Sequence, residues 1–347
     1  MASNDFALQQ LLKAYRKGII SDELFAGQMA ELGEKRNGQG APNGQSVTNG
    51  SAMREEKAYD RAAEDLGNIV ALEHVNVTVP NQEIATHFYI NGLGLTRDPY
   101  MMTGPVNMWV NVGRSQFHLP TGNAQVLRGH IAVVLPDRAS LLRRLGRARK
   151  PLEGTRFDFR EADGYVEATC PWGNRIRCFE PNERFGRITL GIPYVEFEVP
   201  PKSADGIARF YKQIMGAQAA PLEDHQGRFA CVTAGNGQNL FFRETDRPLP
   251  AYDNHHIQVY IADFSGPYRR LMEKGLVTQE SDQHQYRFQD IVDSDTRKML
   301  FTIEHEVRSL KHPLYLRPLV NRNPAQNIMR YSPGYDAWNY AMAPGGN

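Results

Sequence analysis

Residues 69–80 read Ile-Val-Ala-Leu-Glu-His-Val-Asn-Val-Thr-Val-Pro, so that apolar and polar side chains alternate until the closing proline. This period of two predicts a half-buried β-strand that ends at the proline. A helix is expected next, because Ile84, Phe88 and Tyr89 recur at helical spacing before the glycines of residues 92–94. The body of the chain therefore begins with a strand followed by a helix.

Both elements return further along the chain. Residues 192–199 predict a second alternating strand, and a Phe-Tyr pair at residues 210–211 again precedes a glycine at the same interval. Residues 129–133, Gly-His-Ile-Ala-Val, match residues 255–259, His-His-Ile-Gln-Val, and each match is followed by an Arg-Arg-Leu triplet. Such internal similarity indicates repeated structural units. It predicts four strand-helix-strands modules in the order A, B, A, B, at about residues 69–126, 127–183, 190–250 and 252–306.

The regions outside the modules have a different composition. Residues 1–34 carry helical stripes of leucine and aromatic residues and predict a helical hairpin. Residues 35–68 begin with a run rich in Gly, Asn, Gln and Ser and predict a flexible linker. Residues 307–347 contain several prolines and tyrosines and predict an irregular C-terminal wrap.

Composition excludes several classes of protein. The 347 residues are 41% hydrophobic and carry a formal net charge of +1, which argues against disorder and against nucleic acid as a partner. No stretch has the roughly 20 apolar residues of a membrane span, so no membrane partner is expected. The cysteines at 170, 178 and 231 are too few and too irregularly spaced for a disulfide framework, which predicts a cytoplasmic protein.

The quoted motifs resemble a known superfamily. Leu-Glu-His-Val at residues 72–75, the Phe-Tyr pair of the first helix and Pro-Trp-Gly-Asn-Arg-Ile at residues 171–176 are similar to motifs of the vicinal oxygen chelate superfamily, which contains glyoxalases, bleomycin-resistance proteins and ring-cleaving extradiol dioxygenases. The resemblance implies an α+β fold in which four β-α-β-β-β modules pair into two tandem cup-shaped domains. We expect the domains to span residues 69–183 and 190–306.

The resemblance also implies a site on four strand positions of the first domain. These positions fall on His74, His118, His130 and Arg177. Extradiol dioxygenases have metal-binding histidines where this chain has His74 and His130, a catalytic acid-base histidine at His118, and a glutamate ligand at Arg177. They also carry a substrate-binding tyrosine near the position of Tyr165.

The arginine leaves two alternatives for the metal. A guanidinium is always protonated and cannot bind a metal ion. Glu180 could replace it only through a β-bulge, because it lies an odd number of residues away on the strand. In the interpretation that we favour, His74, His118 and His130 bind Fe(II) or Mn(II), and Arg177 binds an anionic substrate oxygen.

The second domain is expected to be a degenerate copy. Its corresponding positions fall on Tyr194, Leu240, His256 and Leu300, and a single histidine does not make a metal site. The domain would then stabilise the first domain or shape its mouth.

Three functions follow from this reading. The first is a metal-dependent dioxygenase-like enzyme that binds a small aromatic substrate of the catechol, vicinal-diol or enolisable type. The second is a metal-free small-molecule binding protein of the bleomycin-resistance type. The third is a lyase or isomerase related to glyoxalases and epimerases. This function fits the sequence poorly, because the four predicted site positions lack the carboxylates that such enzymes use as a base. The sequence leaves open whether the protein forms a homo-oligomer.

Overall fold

The computed structural model describes residues 61–99, 101, 106–235 and 237–320. The predicted hairpin of residues 1–34, most of the predicted linker and the last part of the predicted wrap lie outside this range. Within it, the body of the protein is built from four similar modules, each with one strand, one helix and three further strands. This confirms the module order that the repeats predict.

The first two modules have the following elements. Module 1 contains β1 (Ile69–Asn76), α1 (Gln82–Ala85) with a π-helical continuation (Thr86–Gly92), β2 (Thr96–Arg97), β3 (Asn107–Val112) and β4 (Ser115–Pro120). Module 2 contains β5 (Gly129–Val134), α2 (Arg138–Ala148), β6 (Asp158–Ala162), β7 (Tyr165–Thr169) and β8 (Arg175–Phe179).

The last two modules repeat this plan. Module 3 contains β9 (Tyr194–Val199), α3 (Ala204–Phe210) with a π-helical continuation (Tyr211–Met215), β10 (Ala219–Asp224), β11 (Gly227–Thr233) and β12 (Asn239–Glu244). Module 4 contains β13 (His256–Ile261), α4 (Ser265–Glu273), β14 (Val277–Asp282), β15 (Gln285–Val292) and β16 (Met299–Ser309). Short 3-10 turns at Arg61–Glu64 and Glu183–Phe185 precede modules 1 and 3.

The strands form two eight-stranded mixed sheets. The first sheet has the order β14-β15-β16-β13-β1-β4-β3-β2, and the second has the order β10-β11-β12-β9-β5-β8-β7-β6. At the centre of each sheet two modules meet through an antiparallel strand pair, β1 with β13 and β5 with β9. Module 1 therefore pairs with module 4, and module 2 pairs with module 3.

This pairing differs from the predicted division into residues 69–183 and 190–306, in which neighbouring modules pair. Its physical basis is visible where β5 meets β9. A Cβ on Gly129 would lie 1.8 Å from the backbone oxygen of Glu196, so only glycine allows the two strands to approach this closely. The adjacent Arg128 donates a hydrogen bond to the backbone oxygen of Thr302, which ties this junction to module 4.

Each strand of the first sheet shows one face to the apolar core and one polar face. In β4, Phe117 and Leu119 are fully buried in the core, whereas Gln116 and His118 point to the other side. The same alternation in β13 sends Ile257 into the core and His256 to the polar face. The sheet thus carries a partly enclosed polar face, and this face positions the candidate site.

The two helices with π-helical continuations account for the repeated Phe-Tyr pairs. Phe88 and Tyr89 are fully buried, and so are Phe210 and Tyr211 at the equivalent place in module 3. The hydroxyl group of Tyr211 lies 2.5 Å from Nε2 of His305, which is buried in the same core. The local sequence repeat therefore corresponds to a repeated packing unit.

The described part of the predicted C-terminal wrap runs beside the polar face of the first sheet. Tyr315 makes an edge contact with Tyr260, and Arg317 forms an ion pair with Asp98 at 2.7 Å. The side chain of Asn111 donates a hydrogen bond to the backbone oxygen of Val320. No helix within the described ranges has the length and apolar character needed to cross a bilayer.

Candidate metal centre

A β-bulge shapes the first strand of the site. The register between β1 and β13 shifts between Leu72 and His74, so that two consecutive side chains reach the polar face. Glu73 accepts a hydrogen bond from the hydroxyl of Tyr260 at 3.1 Å, and its other carboxylate oxygen lies 3.3 Å from Nδ1 of His74. The bulge thereby places a carboxylate directly behind an imidazole.

Three imidazoles converge on this face from three different strands. His74 on β1, His118 on β4 and His256 on β13 offer ligand nitrogens that all lie within 4.8 Å of one another. The ring centroid of His74 is 5.8 Å from that of His118 and 5.8 Å from that of His256. Bonds of about 2.0–2.1 Å from nitrogen to a divalent metal require somewhat shorter nitrogen separations, which small side-chain rotations would supply. We call this cluster the histidine face.

Two of these imidazoles carry buried nitrogens that no side chain satisfies. Nε2 of His74 and Nε2 of His256 have no hydrogen-bond partner among the described residues, and both side chains are almost fully buried. A buried polar atom without a partner costs about 1–3 kcal/mol, so native proteins seldom leave one unused. Two such nitrogens facing a third imidazole are the donor set that a metal ion needs.

The protonation state also suits a metal. Burial lowers the pKa of His118 to about 2, with further contributions from His74 and from Arg308 and Arg287. Burial likewise holds the pKa values of His74 and His256 well below the ordinary value. All three rings are therefore neutral at physiological pH, and neutral imidazole is the form that binds metals.

The orientation of His118 is fixed by its neighbours. Its ring stacks on Trp109 at a centroid distance of 3.8 Å, and its Nε2 lies 2.9 Å from the side-chain oxygen of Asn107. When Nε2 donates this hydrogen bond, the lone pair is on Nδ1. An oriented imidazole of this kind is typical of metal ligands.

Carboxylates border the histidine face on the side of β16. Glu306 comes within 3.7 Å of Nε2 of His256, and Glu304 comes within 3.5 Å of its Nδ1. Arg287 pairs with both glutamates, and Arg308 lies 2.5 Å from Glu306. Burial raises the pKa of Glu306, while the two arginines act in the opposite direction.

The structure divides the site residues that the sequence predicts. His74 and His118 lie together as expected, but His130, Tyr165 and Arg177 lie on the second sheet, because module 2 pairs with module 3. Glu180 follows the end of β8 and is exposed, so it is not part of a buried donor set. The predicted ligand set of His74, His118 and His130 is therefore not assembled.

His256 and the neighbouring Glu306 lie within residues 190–306, the range expected to form a degenerate domain. His256 takes the place expected for His130, and Glu306 takes the place that sequence counting gave to Leu300, since β13 pairs with β16 in the register His256 to Glu304. The similarity of residues 255–259 to residues 129–133 is the sequence feature that could have identified His256. The alternation Glu-His-Glu at residues 304–306 is the feature that could have identified Glu306.

Several solved structures resemble this chain. A candidate dioxygenase from Bacillus subtilis subsp. subtilis str. 168 is 19% identical, with 70% of this chain and 86% of that chain covered and a TM-score of 0.47. Glyoxalase I from Zea mays is 12% identical, with coverages of 69% and 92% and a TM-score of 0.46. The 2,3-dioxygenase LapB from Pseudomonas sp. KL28 is 13% identical, with coverages of 76% and 97% and a TM-score of 0.27.

No protein-family model matches the sequence, and no curated protein matches it either. At the identities of the solved structures, likeness says nothing about substrate or reaction. The architecture rests instead on the chain itself, in which four β-α-β-β-β modules meet in pairs through their first strands. With this architecture and the histidine motif of β1, the chain has the fold of the vicinal oxygen chelate superfamily.

Proposed function

We propose that the histidine face binds a divalent metal ion through His74, His118 and His256, and that the protein is a metal-dependent oxygenase. The observation that carries this proposal is the convergence of three neutral imidazoles, of which the two buried ones have unsatisfied nitrogens. A bound Fe(II) or Mn(II) would supply Lewis-acid and redox chemistry to a substrate that chelates it through two neighbouring oxygens. The proposed substrates are small catechol-like, vicinal-diol or enolisable molecules.

The neighbouring residues supply the remaining functions. Glu306 is a buried carboxylate beside His256, in a position to accept the proton that a diol loses on binding. Arg287 and Arg308 hold this carboxylate in place and limit the charge left on the face. The buried indole of Trp109 stacks on His118 and meets His74 edge-on, so it holds both imidazoles in place.

The compartment is part of the same proposal. All three cysteines of the chain are unpaired, which supports a cytoplasmic location. A reducing cytoplasm also keeps iron in the Fe(II) state that the proposed chemistry uses.

Metal content tests the proposed ligand set. Wild-type protein purified anaerobically and loaded with Fe(II) should contain about one ion per chain. His256→Ala should lose this ion while its circular dichroism spectrum is unchanged. His130→Ala is the matched control, since it removes a buried histidine of the second sheet, and it should keep the ion. Full metal content in His256→Ala, or none in the wild type, would contradict the proposal.

Oxygen consumption separates the oxygenase from a second candidate. The histidine face has a carboxylate, Glu306, that the sequence analysis did not assign to it, and a buried carboxylate next to a metal suits proton transfer at a carbon adjacent to a carbonyl. This observation favours a lyase or isomerase of the glyoxalase type as the alternative. Stoichiometric O2 uptake with a panel of catechols supports the oxygenase. Turnover of a hemithioacetal without O2 uptake supports the alternative.

A further inference from the structure

The second sheet has its own pocket on the face that corresponds to the histidine face. Its volume of about 380 Å³ lies within the usual range of small-molecule sites, about 300–1,000 Å³. Aromatic side chains from five strands form much of its lining, namely Tyr165, Phe179, Tyr194, Phe229 and Phe241. Arg177, Arg184 and Arg243 also line it. We call this site the arginine pocket.

Strand register shows which residues of the two sheets occupy equivalent places. Asn76 pairs with His118 and His256 in the first sheet, and Glu196 pairs with Phe241 and His130 in the second. By this register the equivalent pairs are His74 and Tyr194, His118 and Phe241, His256 and His130, and Glu306 and Arg177. At these places the second sheet thus has one histidine where the histidine face has three, and an arginine where a glutamate borders that face.

His130, the one histidine of the second sheet at these equivalent places, is not a free metal ligand. Nε2 of His130 lies 3.4 Å from the hydroxyl of Tyr194, and its Nδ1 lies 3.7 Å from Glu196. Burial, together with Arg177 and other nearby arginines, holds the pKa of His130 well below its ordinary value. The ring is therefore neutral, and the positive charge of the pocket comes from its arginines.

These arginines differ in how far their charge is balanced. Arg243 forms a two-point ion pair with Asp224 at 2.8 and 2.9 Å and also lies 3.3 Å from Glu196. By contrast, Arg177 forms one long ion pair within the described ranges, at 3.4 Å with Glu167, and its guanidinium lies 5.2 Å from the centroid of the Tyr165 ring. Arg184 forms no ion pair with any side chain in the described ranges.

Aromatic rings hold Arg184 in place instead. Its guanidinium lies over the rings of Phe179, Phe185 and Tyr194, at 5.4 to 5.6 Å from their centroids. Stacking of this kind occupies the face of a guanidinium and leaves its N–H edge free to bind an anion. Besides Glu196 and Asp224, the acidic side chain that lines the pocket is Asp163, which is exposed at the rim.

We propose that the arginine pocket is a metal-free binding site for a small aromatic carboxylate. Arg184 and Arg177 hold the carboxylate group, in the planar two-point geometry that guanidinium groups favour. The aromatic ring of the ligand lies against Tyr194 and Phe241, at the places where the histidine face has imidazoles. This site is independent of the metal that we propose for the histidine face.

Calorimetric titration of the full-length protein with 2-naphthoate tests this inference. We expect one molecule of 2-naphthoate per chain, with an affinity that neither EDTA nor His256→Ala changes. Arg184→Gln should weaken binding about 10- to 100-fold, which is the range expected for one charge-assisted hydrogen bond. Arg184 is exposed and lies on a short turn, so this variant should fold normally. Arg187→Gln, which changes an exposed arginine outside the pocket lining, should bind like the wild type.

Two further probes separate the ring from the charge. The uncharged 2-naphthol and inorganic phosphate should each bind at least about 10-fold more weakly than 2-naphthoate, because each lacks one of the two features that the pocket recognises. The inference is overturned if 2-naphthoate does not bind, if Arg184→Gln binds it as the wild type does, or if phosphate binds more tightly. Binding that EDTA abolishes would place the ligand on the histidine face and overturn it as well.

Discussion

The ion-pair network behind the histidine face allows a quantitative prediction. Arg308 lies 3.1 Å from Glu73 and 2.5 Å from Glu306, and all three side chains are mostly buried. In Arg308→Met, Glu306 keeps its ion pair with Arg287, but Glu73 loses its ion pair with Arg308 and, among the arginines, keeps only the weaker effect of Arg317. Removal of one partner of a buried pair typically costs about 3–5 kcal/mol.

The pH dependence of this loss follows from the carboxylate that remains. Burial already raises the pKa of Glu73 above its ordinary value of 4.5, and loss of Arg308 raises it further. A carboxyl group whose pKa is raised in the folded state does not destabilise the fold below its unfolded-state pKa. Above that pKa the unfolded state ionises more readily, so the free energy of unfolding falls as the pH rises. Glu73 can become protonated in the folded variant, and the free energy that this protonation costs is the upper limit of the destabilisation. The limit is about 5 kcal/mol at pH 8 but only about 1 kcal/mol at pH 5.

Urea unfolding of the metal-free protein at pH 5 and pH 8, followed by circular dichroism, measures both values. Glu73→Gln combined with Arg308→Met is the control, since it removes the unpaired charge and should recover most of the stability at pH 8. Equal losses for Arg308→Met at the two pH values would refute the reasoning. So would a loss at pH 8 below about 1 kcal/mol, because Glu73 would then not be a buried charge.

Three further predictions concern the close contact at Gly129, the buried His130 and the pairing of the modules. Gly129→Ala should lower the midpoint of thermal unfolding strongly or prevent folding, because its Cβ would meet the backbone of Glu196, whereas Gly146→Ala in an exposed turn of α2 should stabilise the protein by about 0.5–1 kcal/mol. Between pH 7.5 and pH 5.5, the free energy of unfolding in urea should fall by up to about 1.4 kcal/mol less in His130→Gln than in the wild type. The pKa of His130 is lowered in the folded protein, so only the unfolded wild type takes up a proton on this side chain in that pH range. Residues 1–187 expressed alone should bind no Fe(II), and co-expression with residues 188–347 should restore one ion per complex. A half-chain that binds the metal alone would contradict the observed pairing.

Sequence alone predicts those features that depend on local patterns. The alternation at residues 69–80 marks β1, the Phe-Tyr pairs mark the helices, and the repeats mark the four modules. The places of His74 and His118 follow as well, since both lie within one module, on strands that pair directly. Period, spacing and internal repetition are sufficient for these features, because none of them depends on which modules pair.

Pairing between modules is not contained in such patterns. All four modules present an equivalent first strand, so the local pattern does not distinguish pairing of neighbours from the observed nested pairing. The close contact between Gly129 and Glu196 belongs to the nested arrangement, and it is a tertiary contact that no periodicity marks. For this reason His130 could be placed correctly on its strand and still be assigned to the wrong site.

The register of the last strand is a second feature of this kind. Module 4 has Asp-Thr-Arg-Lys at residues 295–298, without the glycine that fixes the count in module 2. Counting therefore pointed to Leu300, whereas hydrogen bonding with β13 places Glu304 and Glu306 beside His256. The position of a glutamate beside the histidine face therefore could not be predicted by motif matching.

Nested pairing has a consequence for how the two sites differ. Each sheet combines one module from either half of the chain, so the histidine face needs modules 1 and 4 while the arginine pocket needs modules 2 and 3. Substitutions in modules 2 and 3 can therefore change the pocket without changing the histidine face. Position 177 illustrates this separation, because its arginine lies on the second sheet, whereas His256 and Glu306 lie on the first sheet. One scaffold can thus hold a site that binds a cation and a site that binds an anion.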